Sequence, residues 1–168
     1  VETGLAAIAA GREAVEAALG ETVVFPALGL DLAVQRTRAL VAVDVDFAPV
    51  AGRDARKGRE RANREGLVHA ARLIRLKRWG GLVVVDLVGT GQDGDMILRT
   101  AKTVFGGDPA VVIGPVSRFG VLSLSLPWRL RPIEAVLGRT VEDRALDMVR
   151  SLRHRLLEDT ATPRFTAV

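Results

Sequence analysis

The chain has 168 residues, 48 % of them apolar, which is enough for one domain with a buried core and excludes a generally disordered protein. It contains no cysteine, which excludes disulfide bonds and thiolate zinc sites, and its net charge of +4 is compatible with an anionic partner. No apolar run reaches the roughly 18 to 20 residues that a transmembrane helix needs, and no signal peptide is visible, so we expect a cytoplasmic protein without a membrane partner.

The first half of the chain predicts one helix and three strands. Residues 3–19 are rich in alanine, with larger apolar residues at helical spacing, and they predict the first helix. Two short apolar runs, 22–25 and 30–34, predict a pair of strands around a turn. The β-branched run at 38–45 predicts the first core strand, and a polar loop follows it at 47–57.

The second half of the chain alternates helices with strands. The periodicity predicts helices at 59–78, 93–105 and 141–158, and strands at 82–87, 111–116 and 121–126. We expect four apolar residues of the last helix to face inward: Leu146, Val149, Leu152 and Leu156.

This order of elements predicts an α/β fold with a mixed sheet and flanking helices in two layers, the sheet being mixed because hairpins stand at both ends of the core. The predicted division is an N-terminal helix at 1–20, a core domain at 21–135, and a C-terminal helix and tail at 136–168. The first residue is Val1 rather than Met, which fits a processed chain and a fragment of a longer chain equally.

Two aspartates end the two predicted core strands. Asp44 follows the apolar run from Leu40, Asp86 follows the run from Leu82, and one long helix is predicted between the runs. A strand–helix–strand unit brings both strand ends to one edge of a sheet, so we expect the two carboxylates to meet there and to suit a hard divalent cation. Asp46 is the candidate third group, either as a ligand or as an acceptor for a water. The alternative for Asp44 is a turn or cap role at the strand end, and the alternative for Asp46 is that the alternation of the strand aims its side chain elsewhere.

The predicted helix between the aspartates is strongly basic. Its basic residues can be interpreted in two ways, as a solvated helix face or as a contact surface for phosphates. Ten arginines and lysines crowd this stretch: Arg53, Arg56, Lys57, Arg59, Arg61, Arg64, Arg72, Arg75, Lys77 and Arg78.

Three arginines are candidates for contact with an anionic ligand. Arg72 and Arg75 could bind phosphates, brace the carboxylates or stay solvated, and Arg118 could reach the ligand or pair with an acidic neighbour. Asn63 could cap the basic helix. The scarcity of aromatic residues, with no tyrosine, argues against a stacking platform of the kind that covers an RNA-binding sheet.

Four short motifs carry a resemblance to a known family. They are Arg38-Ala-Leu-Val-Ala-Val-Asp44-Val-Asp46, the helical segment from Asn63 to the pair Gly80-Gly81, Leu82-Val-Val-Val-Asp86, and Ser117-Arg118-Phe119-Gly120. In this order and at this spacing, they resemble the catalytic core of the ribonuclease E/G family, over about residues 28–126. Asp44 and Asp86 are similar to that family's two metal-binding aspartates.

The resemblance implies an endoribonuclease that cuts single-stranded RNA in a Mg²⁺-dependent reaction, with Mn²⁺ as the alternative ion, and leaves a 5′-phosphate and a 3′-hydroxyl. The matching part corresponds to the family's DNase I-like subdomain. Asp44 and Asp86 would then be metal ligands and, together with Asp46, the catalytic residues. Arg72, Arg75 and Arg118 would face the RNA.

The chain departs from the family's pattern in three places. Asp46 stands where the family usually has an asparagine, Gly89 where it usually has an acidic residue, and Leu126-Pro127-Trp128 where it has a basic cluster. The sequence also lacks the cysteine pair through which family members join subunits around zinc, so any homo-oligomer would form in another way.

The departures leave other functions open. One is an RNA-binding or scaffold module that keeps the fold without cleaving, because the S1 domain and the 5′-end sensor of the family are not in this sequence. Another is a fragment of a larger ribonuclease. Other phosphoryl-transfer enzymes also use paired strand-end aspartates.

Overall fold

A computed structural model of the chain describes residues 4–49, 54–89, 94–136 and 141–158. A 3₁₀ turn at Pro26–Leu28 joins the first two strands, and a one-turn helix at Ile133–Val136 was not predicted. The elements in chain order are α1 (Gly4–Leu19), β1 (Thr22–Phe25), β2 (Leu30–Arg36), β3 (Val41–Phe47), α2 (Ala55–Lys77), β4 (Gly81–Asp86), α3 (Gly94–Phe105), β5 (Val112–Val116), β6 (Val121–Leu126), α4 (Ile133–Val136) and α5 (Val141–Glu158).

The six strands form one mixed sheet in the order β1-β2-β3-β4-β6-β5. Strands β3 and β4 are parallel because α2 carries the chain back between them, and every other neighbouring pair is antiparallel. The predicted α/β class with a mixed sheet and flanking helices is therefore confirmed.

Helices α2 and α3 cover one face of the sheet. Side chains of a strand alternate between its two faces, and the apolar set of each central strand points toward the helices. The buried strand residues are Leu30, Leu32, Val34, Val41, Val43, Val45, Val83, Val85, Leu122 and Leu124, and the helices contribute Leu67, Ala70, Ala71, Ile74, Ile97, Ala101 and Phe105. The alternate residues lie on what we call the open face: Asp31, Ala33, Gln35, Ala42, Asp44, Asp46, Leu82, Val84, Asp86, Ser123 and Ser125.

Local hydrogen bonds explain two differences from the predicted boundaries. Strand β3 begins at Val41 rather than at residue 38, because the Thr37 hydroxyl accepts hydrogen bonds from the backbone N–H groups of Ala39 and Leu40 and closes a turn there. Helix α2 begins at Ala55 rather than at residue 59, because the Asp54 carboxylate caps it. The loop predicted at 47–57 is therefore shorter than the polar composition suggested.

The chain divides into two compact units. Gly20–Pro132 contains the whole sheet with α2 and α3, and the second unit combines Val1–Leu19 with Ile133–Val168. The inward orientation predicted for α5 is wrong. The four residues expected to face inward have exposed fractions between 37 and 60 %: Leu146, Val149, Leu152 and Leu156. Periodicity shows which residues share a helix face, but it does not show whether another element covers that face.

No helix in the described ranges combines the length and the apolar character that crossing a bilayer requires. The predicted tail beyond Glu158 lies outside the described residues.

Candidate functional site

The two aspartates predicted to end the core strands are register partners, although β3 continues past Asp44 to Phe47. Asp44 of β3 pairs with Asp86 of β4 in the parallel ladder. Their side chains therefore leave the same face of the sheet from neighbouring strands, which lie about 4.8 Å apart. Both residues are exposed, and neither forms an ion pair with a lysine or arginine in the described part of the chain. The structure thus brings together the two residues that the strand–helix–strand argument predicts to meet.

Two further carboxylates lie on the open face beside this pair. Asp46 follows Asp44 by two residues and shares its face, and its Oδ1 accepts a hydrogen bond of 2.7 Å from the N–H of Phe47. Asp31 of β2 is the register partner of Asp46. Sequence reasoning missed Asp31. The available signal was its place between the apolar residues Leu30 and Leu32, but the register of β2 against β3 could not be read from the sequence.

The pKa of Asp44 is raised above its ordinary value. Partial desolvation of the carboxylate against the sheet is the largest cause, and the negative charges of Asp86, Asp46 and Asp31 follow in that order. Each neighbouring charge disfavours ionisation of Asp44. A bound cation would reverse this effect, because it would neutralise the charges that repel one another.

The donor set suits a small, hard divalent cation. Mg²⁺ prefers oxygen ligands and usually keeps several waters beside one or two carboxylates, which is what Asp44 and Asp86 can offer. Within the described residues, no group of three or more histidine, aspartate or glutamate side chains is placed to hold a metal ion.

Helix α2 packs tightly against the end of β3 from the covered face. A methyl group added at Gly66 would lie 2.9 Å from Cγ1 of Val45, and one added at Gly58 would overlap the ring of Phe47. Only a residue without a side chain lets the helix backbone come this close. The helix therefore fixes the position of the strand that carries Asp44 and Asp46.

Asn63 ties the same helix to the end of β4. Its side chain is fully buried, its Nδ2 donates to the carbonyl of Val88 (3.3 Å), and its Oδ1 accepts from the N–H of Val88 (2.8 Å). The predicted capping role of Asn63 is wrong, because Asp54 caps the helix and Asn63 lies in its interior. Asn63 instead holds the backbone two residues beyond Asp86, which makes it a positioning residue for that carboxylate.

The motif Ser117–Gly120 forms the tip of the hairpin between β5 and β6. The Ser117 hydroxyl accepts hydrogen bonds from the N–H groups of Phe119 and Val121, both at 3.2 Å. Gly120 has a φ of +81°, and a side chain there would meet the carbonyl oxygen of Gly89. Because Val121 is the register partner of Asp86, the tip lies at the same edge of the sheet as the carboxylates.

Of the three arginines predicted to contact RNA, the structure places Arg118 at this edge and the other two elsewhere. Arg75 donates a hydrogen bond of 2.7 Å to the carbonyl of Val104 and lines a cavity of about 420 Å³ beside Leu126, at the opposite end of β6. Arg72 is exposed one turn after His69, whose pKa is lowered by burial and then by the charge of Arg72.

Two basic residues that were not singled out lie nearer to the end of β3. Lys57 and Arg61, in the first turns of α2, line a cavity of about 270 Å³ together with Phe47, the residue after Asp46. They were missed because the candidate arginines were chosen from the C-terminal half of the helix, which matches the family motif. Helix α2 begins just after β3, so its N-terminal half lies beside the carboxylate edge.

One known protein family matches the whole of the sheet-containing core. The model of the Ribonuclease E/G family matches residues 5–127. This range includes Asp44, Asp46, Asp86 and the Ser117–Gly120 tip, and it reaches back into α1, beyond the predicted start of the resemblance near residue 28. None of the curated proteins gave a significant match. The family match spans well over half of the 168 residues, so the chain belongs to the ribonuclease E/G family.

Proposed function

We propose that this chain is a divalent-cation-dependent endoribonuclease that cleaves single-stranded RNA and leaves 5′-phosphate and 3′-hydroxyl ends. Membership of the ribonuclease E/G family supports a ribonuclease-related function. The observation that carries the finer proposal is the register pairing of Asp44 with Asp86 on the open face of the sheet.

Asp44 and Asp86 would hold Mg²⁺, or Mn²⁺ in its place, through their side-chain oxygens. When bound, the ion supplies Lewis-acid chemistry, since it neutralises phosphate charge and lowers the pKa of water. The two aspartates come from strands fixed by the core below them, so they require little rearrangement to bind. A carboxylate binds a cation in its ionised form. Because the pKa of Asp44 is raised, we expect the pair to bind a cation best at a pH high enough to ionise both carboxylates.

Other residues of the edge would position the RNA and the water. One oxygen of Asp46 is engaged by the N–H of Phe47, which leaves the other oxygen to accept a hydrogen bond from the attacking water. Arg118, Lys57 and Arg61 supply positive charge for phosphates near the end of β3 and β4. Arg72 and Arg75 stay candidates for RNA contact. Because they lie on the part of α2 away from the carboxylate edge, they would contact RNA at a distance from the cleaved bond.

The test is cleavage of a labelled single-stranded RNA with Mg²⁺ by the wild type and by the Asp44→Asn/Asp86→Asn variant. We expect the wild type to cut and the variant to lose at least a hundredfold in rate, because the isosteric amides keep the fold and remove the ligand charge. Asp147→Asn, an exposed carboxylate of α5 paired with Arg150, is the matched control and should cut at the wild-type rate.

Two outcomes would contradict the proposal. Cleavage that survives the double substitution would assign the activity to another site or to a contaminant. A wild type that binds RNA but never cuts it, across a range of Mg²⁺ and Mn²⁺ concentrations, would remove the enzymatic proposal altogether.

The second candidate is an RNA-binding or scaffold module of the same fold. The absence of a three-ligand metal cluster in the described residues, together with Gly89 at the family's usual acidic position, favours it. Salt-sensitive RNA binding without cleavage would be its signature. A cytoplasmic location, a larger parent protein and a homo-oligomer without a zinc link all stay predictions.

A further inference from the structure

Phe119 is an exposed aromatic residue at the carboxylate edge. Its side chain is 68 % exposed, whereas Phe25 and Phe47 are partly buried and Phe105 and Trp79 are buried. A phenylalanine so open to water gains little from folding. Stability therefore gives no reason for an aromatic side chain at this position.

The exposed ring is held by a well-ordered turn. The Ser117 hydroxyl accepts hydrogen bonds from the backbone N–H groups of Phe119 and Val121. The Ser117 N–H donates to the carbonyl of Val121 (2.8 Å). The Gly120 carbonyl accepts a hydrogen bond of 3.1 Å from the N–H of Leu87, the residue directly after Asp86. The backbone of Phe119 is thus tied to the strand end that bears the candidate metal ligand.

Arg118 completes a two-residue surface. Its guanidinium carbon lies 5.0 Å from the centre of the Phe119 ring, which places a cation and a π-face side by side. Proteins bind single-stranded nucleic acid through this combination, in which an aromatic ring stacks on a base and arginine attracts the backbone. Phe119 stands two residues before Val121, the register partner of Asp86, so its backbone lies at the same edge of the sheet as the carboxylate pair.

We propose that Phe119 stacks on the base of one nucleotide next to the scissile phosphate, with Arg118 contacting the adjoining phosphate. The proposal rests on the proposed function, because it takes single-stranded RNA as the ligand. Stacking on one ring makes no hydrogen bonds to base edges, so the contact positions the strand without reading its sequence. It differs from an aromatic platform spread across a sheet, which the scarcity of aromatic residues already argued against.

The test is a binding cycle that combines a protein substitution with removal of a base. Dissociation constants are measured by fluorescence anisotropy in EDTA, which prevents cleavage, for an RNA and for a series in which one nucleotide at a time is abasic. We expect Phe119→Ala to weaken binding of the intact RNA by roughly 5- to 150-fold, the range for one stacked base. The same substitution should have no effect on the RNA that is abasic at the stacked position.

Further variants separate stacking from general damage. Phe119→Trp should restore binding, whereas Phe119→Leu, which keeps apolar bulk without a π-face, should not. Trp128→Leu is the matched control, because Trp128 is also a half-exposed aromatic residue with an arginine, Arg36, 5.1 Å from its ring, but it follows the opposite end of β6. This control should bind both RNAs as the wild type does.

The outcomes distinguish this inference from the proposed function. If Phe119→Ala weakens intact and every abasic RNA by the same factor, or weakens neither, the stacking proposal is overturned while cleavage at Asp44 and Asp86 can still stand. If the coupling appears in EDTA and the wild type does not cut, stacking stands and the enzymatic proposal fails. A wild type that binds no RNA overturns both.

Discussion

At the scale of single residues, the carboxylate of Asp44 is the centre of the site. Asp86 stands beside it on β4, and Asp46 and Asp31 add two more negative charges on the same face. The sheet gains nothing in stability from this crowding, because like charges on neighbouring strands repel. Such a cost is typical of sites that bind a cation, where the ligand supplies the charge that the fold lacks.

The raised pKa of Asp44 predicts a pH-dependent gain from removing its charge. The folded state holds this proton more tightly than the unfolded chain does. The free energy of unfolding of the wild type therefore falls as the pH rises from the usual carboxyl pKa through the raised one. Without divalent cations, Asp44→Asn should be more stable than the wild type at pH 7 by roughly 0.2–1 kcal/mol, the range for cross-strand charge pairs. The gain should vanish near pH 3, where both side chains are neutral.

Urea unfolding of both proteins at a series of pH values measures this difference. Asp95→Asn is a control of opposite sign, because Asp95 lies in the first turn of α3, where a negative charge is favourable. If Asp44→Asn is instead less stable than the wild type at pH 7, the carboxylate cluster does not repel and this account of Asp44 is wrong.

Asn63 gives the second residue-scale prediction. Asn63→Ala removes both hydrogen bonds between the Asn63 side chain and Val88, so the backbone that follows Asp86 is held less firmly. We expect the dissociation constant for Mn²⁺ to rise by roughly 10- to 100-fold, as for other residues that support metal ligands. Isothermal titration calorimetry provides the measurement, and hydrogen exchange at the Val88 amide should become faster at the same time.

The control for Asn63 is a substitution that lowers stability without touching Val88. Ile74→Val leaves a small cavity in the core at the other end of α2 and should cost about 0.5–1.5 kcal/mol of stability. It should leave the affinity for Mn²⁺ unchanged. Equal Mn²⁺ affinities for Asn63→Ala and the wild type would show that Asn63 does not position Asp86.

At the scale of elements, α2 connects the two halves of the site. It approaches β3 through Gly58 and Gly66, and it holds the exit of β4 through Asn63. One helix therefore contacts the ends of both strands that carry Asp44 and Asp86.

The end of α2 carries backbone strain. Sequence reasoning ends this helix at Gly80-Gly81, but the residue in the left-handed region is Arg78, with a φ of 58°, and its N–H bonds the carbonyls of Arg75 and Ile74. Glycine adopts this conformation at little cost, whereas arginine does not. Arg78→Gly should therefore stabilise the fold by roughly 0.5–1 kcal/mol.

Thermal unfolding followed by circular dichroism measures the effect of Arg78→Gly. Arg72→Gly, an exposed position in the interior of the same helix, is the matched control and should destabilise by about 1 kcal/mol. A loss of stability in Arg78→Gly would mean that the arginine side chain contributes more than the strained backbone costs.

The contrast between predictable and unpredictable elements has a physical basis. The strands that carry Asp44 and Asp86 were predictable, since their β-branched runs are buried and parallel strands joined by a helix must end at one edge. The roles of Asp31 and Asn63 were not predictable. Placing Asp31 requires the register of β2 against β3, and placing Asn63 requires the packing of α2 on the end of β4. The exposed face of α5 was mistaken for a core face, because periodicity alone cannot show what a helix packs against.

At the scale of the whole molecule, charge and exposure are unevenly distributed. The chain carries a net charge of +4, yet its open face concentrates four carboxylates near the end of β3. A basic protein attracts RNA at long range, whereas the carboxylates repel its phosphates at short range unless a cation lies between them. We therefore expect a divalent cation at the open face to strengthen RNA binding, which occurs without the cation as well.

The most direct test of this account is a crystal structure with Mn²⁺, read by anomalous scattering. We predict one strong anomalous peak at about 2.1 Å from a side-chain oxygen of Asp44 and at about the same distance from one of Asp86, the bond length expected for a small hard cation. The peak should disappear in the Asp44→Asn/Asp86→Asn variant. A crystal of the wild type in which Mn²⁺ binds elsewhere, or in which both aspartates stay unligated at saturating Mn²⁺, would contradict the account.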